Sequence, residues 1–194
     1  SGSNTTAQFK VSTDGGAITW SGQSGHSGGD DGLALRSRAV SDGGSGSITI
    51  GDNNTGDITF KIGSLQTADQ DADAIAIESA SNVVFEGPGS NNFSTAITFS
   101  NEYDFKSSIT SFRVGKLTNA QDITIDTPVV ISVPVALYGG DINVDANLNT
   151  TAGTALGDVL LKASENISIN SASIITDDGD VILWANSDDN DSGM

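Results

Sequence analysis

Cysteine is absent from the 194 residues, proline occurs 3 times and histidine once, and only 8 bases stand against 25 acids. Each scarcity excludes something. Without cysteine there is no disulfide scaffold, no thiol nucleophile and no zinc knuckle. A formal charge of −17 is the opposite of the basic stripe that nucleic acid requires, and of a polybasic patch for anionic lipid. No apolar run approaches the roughly 18 residues that would span a bilayer as a helix. Aromatic residues make up 6% and apolar residues 36%, and the deficit is filled by glycine (23 residues), serine, threonine, asparagine and aspartate.

What is present is a short alternating unit. A small or polar residue precedes a β-branched one, a free position follows, and a large apolar residue closes the unit. Examples are Ala17-Ile18-Thr19-Trp20, Asp57-Ile58-Thr59-Phe60, Asp122-Ile123-Thr124-Ile125 and Asp180-Val181-Ile182-Leu183. Strand side chains point alternately to opposite faces, so the two apolar positions share one face and the middle position faces away. Gly, Asn, Asp or Ser bounds most copies, which is the strand signature. The strongest helical pattern runs from Leu65 to Ala80, with Ser64 as cap, but Ile75–Ile77 also fits the strand unit.

The apolar pairs beginning at Ile58, Ile75, Val83 and Ile97 recur at Ile142, Val159, Ile167 and Val181, with steps of 17, 8 and 14 in both series. The offset is 84 throughout; Gly56-Asp57 then matches Gly140-Asp141, and Asn82 matches Asn166. Units this small cannot bury their own apolar pair and must stack on neighbours. The pattern therefore predicts an all-β chain folded as a single-stranded, right-handed parallel β-helix. Eight or nine turns of about 17 and 22 residues would give a rod roughly 40 Å long. The rival is an antiparallel β-sandwich or jelly roll, in which Asp14-Gly15, Asp42-Gly43 and Asp178-Gly179 would be hairpin turns. One domain is expected over 1–194, with an irregular Gly/Ser/Asp-rich part at 1–46 and regular repeats over 47–194. The segment 21–46 reads as a protruding loop. The first residues carry no charged-then-apolar leader pattern, and both ends read as cut from a longer chain.

Gly140-Asp141-Ile142-Asn143-Val144 is followed by Gly157-Asp158-Val159-Leu160-Leu161-Lys162-Ala163, Glu165-Asn166-Ile167-Ser168-Ile169 and Gly179-Asp180-Val181-Ile182-Leu183-Trp184-Ala185-Asn186. This series resembles the repeat of filamentous haemagglutinin-like bacterial exoproteins. The resemblance is close over about a quarter of the chain; 1–46 and 100–120 lack the regular unit. It implies a β-helical stalk segment of an extracellular or cell-surface adhesin, acting in cell adhesion as a rigid spacer. The partners it implies are a glycan or protein on a host or neighbouring cell, together with further repeats of the parent chain.

Candidate sites are few, and no catalytic or cofactor-binding residue is assigned; the expectation is a protein that is not an enzyme. His26 lies in Gly25-His26-Ser27-Gly28, a loop composition that positions a general base poorly. The only arginines are Arg36, Arg38 and Arg113. Arg36 and Arg38 share a face opposite Leu33 and Leu35, suited either to an anionic glycan or simply to solvent. No cofactor is required, and calcium is the one metal to consider. Asp69, Asp71 and Asp73 alternate as in a calcium loop, but Ala74 replaces the usual glycine and Glu78 falls two places short of the closing acid. Asp188, Asn190, Ser192 and Gly193 match the opening of such a loop without its closing glutamate. In Gly43-Gly44-Ser45-Gly46-Ser47-Ile48, isoleucine stands where the calcium nonapeptide has aspartate. Thr19, Thr49, Thr59, Thr98 and Thr124 occupy outward positions, as an ice-binding rank would. Ala76, Asn143, Leu160, Ser168 and Ile182 interrupt that rank. Trp20 shares the inward phase of Ile18, whereas Trp184 should face outward as a sugar-stacking platform. A polysaccharide-binding or lyase-like β-helix is the alternative to the spacer.

Overall fold

The computed structural model describes residues 7–22, 32–33, 46–65, 75–90, 92–99, 103–151 and 157–187. Among them no helix forms, and every strand pairing is parallel. The chain is a parallel β-solenoid. The deepest sheet holds seven strands: Ile18–Gly22, Ile58–Ile62, Asn82–Glu86, Ser111–Val114, Val135–Gly139, Val159–Ala163 and Val181–Trp184. A second sheet stacks Ala7–Val11, Gly46–Gly51, Ile75–Glu78 and Tyr103–Phe105. A third stacks Ile97–Phe99, Ile123–Ile125, Ile142–Val144 and Ile167–Ile169. Val129–Val130, Leu148–Asn149 and Ile174–Ile175 form a fourth, and Gly32–Leu33 pairs with Ser64–Leu65.

The alternation does what the sequence dictates. In Ile58–Ile62 the burial runs buried, intermediate, buried, intermediate, buried, and Val135–Gly139 and Val159–Ala163 repeat it. Inward side chains stack in columns, so Ile18 lies under Ile58, then Val83, Phe112, Val135, Val159 and Val181. Burying each such side chain contributes about 1.5–3 kcal/mol. An aromatic cluster fills the middle of the stack. Phe60 stacks on Phe85 with ring centres 4.4 Å apart, and Phe99, Tyr103 and Phe112 present their edges to Phe85 at 5.2, 6.2 and 6.0 Å.

The register departs from the 84-residue reading. Successive partners in the seven-stranded sheet, Ile18, Ile58, Val83, Phe112, Val135, Val159 and Val181, lie 40, 25, 29, 23, 24 and 22 residues apart. Ile58 belongs to the seven-stranded sheet and Ile142 to the third, so residues 84 apart share the interior but not a sheet. Seven strands replace the eight or nine expected turns, and six spacings of about 4.8 Å give a stack about 29 Å deep. The helical pattern at Leu65–Ala80 gives way to strands Ser64–Leu65 and Ile75–Glu78, with 66–74 outside the described residues. Asp14-Gly15 is not a hairpin. Gly15, at φ +76°, donates its N–H to the Asn54 carbonyl of the next coil at 2.9 Å. Asp178-Gly179 sits in a bend leading to another parallel strand, and Asp42-Gly43 lies outside the described residues.

The corners carry a repeated polar device. A turn carboxylate or amide oxygen accepts the backbone N–H of the residue one coil above. Asp57 takes that of Asn82 at 3.2 Å, Asp122 that of Asp141 at 2.9 Å and Asp141 that of Asn166 at 3.0 Å. Asp158 takes that of Asp180 at 2.8 Å, and Asn147 that of Ser173 at 2.9 Å. The glycine before Asp141 is forced by the same closeness, since a Cβ on Gly140 would stand 2.5 Å from the Ala120 carbonyl.

Candidate functional site: a groove across the seven-stranded sheet

The outward middle positions of the seven-stranded sheet form one row: Thr59, Val84, Arg113, Ala136, Leu160 and Ile182. All six line a groove of about 410 Å³ on the outer surface. Its floor is largely apolar. One edge is polar and includes Asp57, Asn82, Ser111 and Asp158 from the starts of successive strands.

These edge groups are held by the corner device. Ser111 Oγ donates to Asn82 Oδ1 at 2.6 Å, Asn82 Nδ2 donates to Asp57 Oδ1 at 3.0 Å, and Asp158 accepts from Asp180. The Ser81 hydroxyl and then the Asn82 N–H hold the Asp57 carboxyl below its ordinary value, because both bonds favour the charged form. Arg113 crosses the floor with both terminal nitrogens engaged, Nη2 on Glu86 Oε2 at 2.9 Å and Nη1 on the Gly115 carbonyl at 2.6 Å. The guanidinium is thereby neutralised and fixed. An apolar floor with an ordered polar edge suits an extended neutral chain with one hydrophobic side, as many glycans have. No group of three or more His, Asp or Glu suited to a metal occurs among the described residues.

The other candidates scatter. His26, Arg36, Arg38, the Asp69–Asp71–Asp73 series and the Asp188–Asn190–Ser192–Gly193 series lie outside the described residues, as does most of the Gly43–Ser47 run. Trp20 packs against the core in register with Phe60, in the inward phase, and its Nε1 has no hydrogen-bond partner among the described residues. Trp184 is exposed, as are Val181, Ile182 and Leu183 of the same strand whichever way they alternate, and Lys162 Nζ sits 4.1 Å from its ring centre. The threonines divide among three sheets. Thr19 pairs with Thr59, Thr98 with Thr124 followed by Asn143 and Ser168, and Thr49 with Ala76. They form no common rank.

The groove itself is missed by reading residues singly. Leu160 and Ile182 look like interruptions of a threonine rank, but parallel register sets them beside Ala136, Arg113 and Val84. The available signal was large apolar residues at outward positions of consecutive coils. No family model, curated protein or solved structure matches this chain.

Proposed function

We propose that this chain is a non-enzymatic β-solenoid segment of a large extracellular bacterial surface protein, a rigid spacer whose outer faces and loops make adhesive contact. One observation carries the reading: the interior is filled along the stack by shared columns from Ile18 to Val181. Bending such a rod opens hydrogen-bond ladders and separates packed side chains, so stiffness follows from the packing. Repeat resemblance supplies the adhesin context. The step from Ile18 to Ile58 is 40 residues whereas later steps are 22 to 29, but the strand Gly32–Leu33, paired with Ser64–Leu65, interrupts 21–46, so that segment is not a single protruding loop.

The groove favours a second reading, in which a glycan lies across the seven-stranded sheet. A glycan array, paired with incubation on acidic polysaccharides with and without calcium, separates the two. A spacer gives no turnover on any polysaccharide. Saturable release of cleaved sugar would overturn the non-enzymatic reading. Glycan binding lost on Leu160→Asp, without turnover, would place the adhesive contact in the groove.

A further inference from the structure

The groove on the seven-stranded sheet opens sideways. Each strand from Ile58–Ile62 to Val159–Ala163 is paired on both sides, so this face is the same whatever lies beyond either end of the stack. From Thr59 to Leu160 the outward row makes four spacings of about 4.8 Å, a floor about 19 Å long. Val84, Ala136 and Leu160 are half-buried and make that floor apolar. The same double pairing uses the N–H and C=O groups of these strands. The floor therefore has no backbone ladder to offer an added peptide strand.

Charge of either sign is turned away. Asp57 and Asp158 stand on the polar edge with the uncharged Asn82, Ser111 and Pro134 between them, so an anionic chain along this edge meets both carboxylates. A cationic chain meets the guanidinium of Arg113, fixed on the floor by Glu86 Oε2 at 2.9 Å and the Gly115 carbonyl at 2.6 Å. Lys61 and Lys162 belong to the next outward row and do not line the groove. What the edge does offer is acceptors. The Ser81 hydroxyl, the Asn82 N–H and the Asn82 Nδ2 all donate to Asp57 Oδ1, which leaves Oδ2 open among the described residues. Asp158 likewise uses Oδ1 for the Asp180 N–H. Hydroxyl groups donate to such oxygens without bringing charge.

We infer that the groove is a binding site for a neutral, β-linked hexose chain lying along the stack, with its apolar ring faces on Val84, Ala136 and Leu160 and its hydroxyls on the edge of Asp57, Asn82 and Asp158. This rests on the reading in which a glycan lies across the seven-stranded sheet, and narrows it, because chains bearing carboxylates are rejected. In an equatorially linked hexose chain the C–H groups face up and down and the hydroxyls lie at the rims. An apolar floor with one polar edge matches that shape. Glu86 sets the specificity without touching the sugar. By holding Arg113 it keeps an anion-binding guanidinium engaged, and the edge carboxylates then act unopposed on an acidic chain.

Two matched probes test this: cellohexaose, and the same hexamer oxidised at C6 so that every ring carries a carboxylate. Each is titrated at low salt into the isotope-labelled 194-residue protein and followed by backbone amide chemical shifts. Cellohexaose should shift the amides of Val84, Ala136 and Leu160, and bind at least about tenfold more tightly than the oxidised hexamer. That preference should shrink as salt rises. Glu86→Gln releases the guanidinium and should narrow the preference at least about threefold, with the β-sheet circular dichroism unchanged. The shift map of the unmodified protein needs no variant and stands if Glu86→Gln loosens the sheet. The inference is overturned if cellohexaose shifts none of these amides, if the oxidised hexamer binds as tightly, or if a folded Glu86→Gln keeps the full preference. Should the oxidised hexamer alone shift these amides, a glycan still lies in the groove and only its neutrality is refuted. Shifts confined to other faces refute both.

Discussion

Phe85 is the side chain on which the middle of the stack depends most. It is fully buried, stacks on Phe60, and meets the edges of Phe99, Tyr103 and Phe112. Phe85→Ala removes the transfer free energy of a buried benzyl group and leaves a cavity, together about 3–5 kcal/mol. Aromatic pairs contribute about 0.5–1.5 kcal/mol each beyond burial, and four rings lose their partner here. The expected loss is therefore at the top of the range, about 5 kcal/mol. For a chain of this length that lowers Tm by about 10–20 °C. Phe9→Ala is the control, because Phe9 is 52% exposed at the other end of the stack and should cost under about 1 kcal/mol. Thermal melts followed by circular dichroism give the comparison. Hydrogen exchange should show protection lost first in the strands holding Phe60, Phe85 and Phe112, since coils couple mainly to their neighbours. A Tm shift below about 3 °C for Phe85→Ala would refute this account of the core.

Three other perturbations probe different parts of the stack. Ile142→Asp puts an unpaired carboxylate between Ile123 and Ile167 at a fully buried position and should cost more than about 5 kcal/mol. Ile167→Asp, one coil nearer the open end and only partly buried, should cost about 1–3 kcal/mol; equal urea midpoints would show that the column does not end there. Asp57 is held below its ordinary value by Ser81 and Asn82, and Asp52 at about 2 by Ser12, Asn54, Thr55 and Lys10. A depressed folded value means stability that is present above the ordinary carboxyl range and lost as pH falls through the folded value. Acid titration should therefore lower Tm between about pH 4 and about pH 2, and Asp57→Asn should flatten that slope; an unchanged slope contradicts the assignment. Gly115 has φ +82°, and a Cβ there would lie 2.1 Å from the Tyr138 carbonyl oxygen. Gly115→Ala should cost about 3 kcal/mol or more, whereas Gly89→Ala, at φ +58° with open space around it, should cost about 1 kcal/mol.

Fold class was legible because alternation and burial share one cause. A strand in a solenoid has one dry face, so its sequence must repeat every second residue, and Ile58–Ile62 does. Register was not legible, for an instructive reason. Asp57 with Asn82 and Asp141 with Asn166 are both 25 residues apart, and in both the asparagine gives its N–H and its Nδ2 to the aspartate oxygen. The 84-residue offset thus detects a real recurring corner. That corner opens the seven-stranded sheet in one copy and the third sheet in the other. A corner is a local device, and nothing in its few residues records which face of the coil it begins. Coil lengths that vary between 22 and 29 residues then erase any single period. The groove was hidden by the same limit, since its floor is assembled only when register is known.

The solenoid separates what holds the chain together from what meets the outside. Inward partners of the seven-stranded sheet are Ile18, Ile58, Val83, Phe112, Val135, Val159 and Val181, uniform in chemistry because a dry column admits little else. The adjacent outward row runs Thr19, Thr59, Val84, Arg113, Ala136, Leu160 and Ile182, and its variety shows that stacking places no such demand on it. Neighbouring residues therefore answer to different constraints. Leu161 is fully buried and Leu160 lines the groove, so Leu161→Thr should cost about 3–4 kcal/mol and Leu160→Thr about 1 kcal/mol. Chemical denaturation of the two variants decides it. Equal losses would mean that Leu160 supports the stack rather than its surface, and the groove would then be a by-product of packing, not a place where a ligand is chosen.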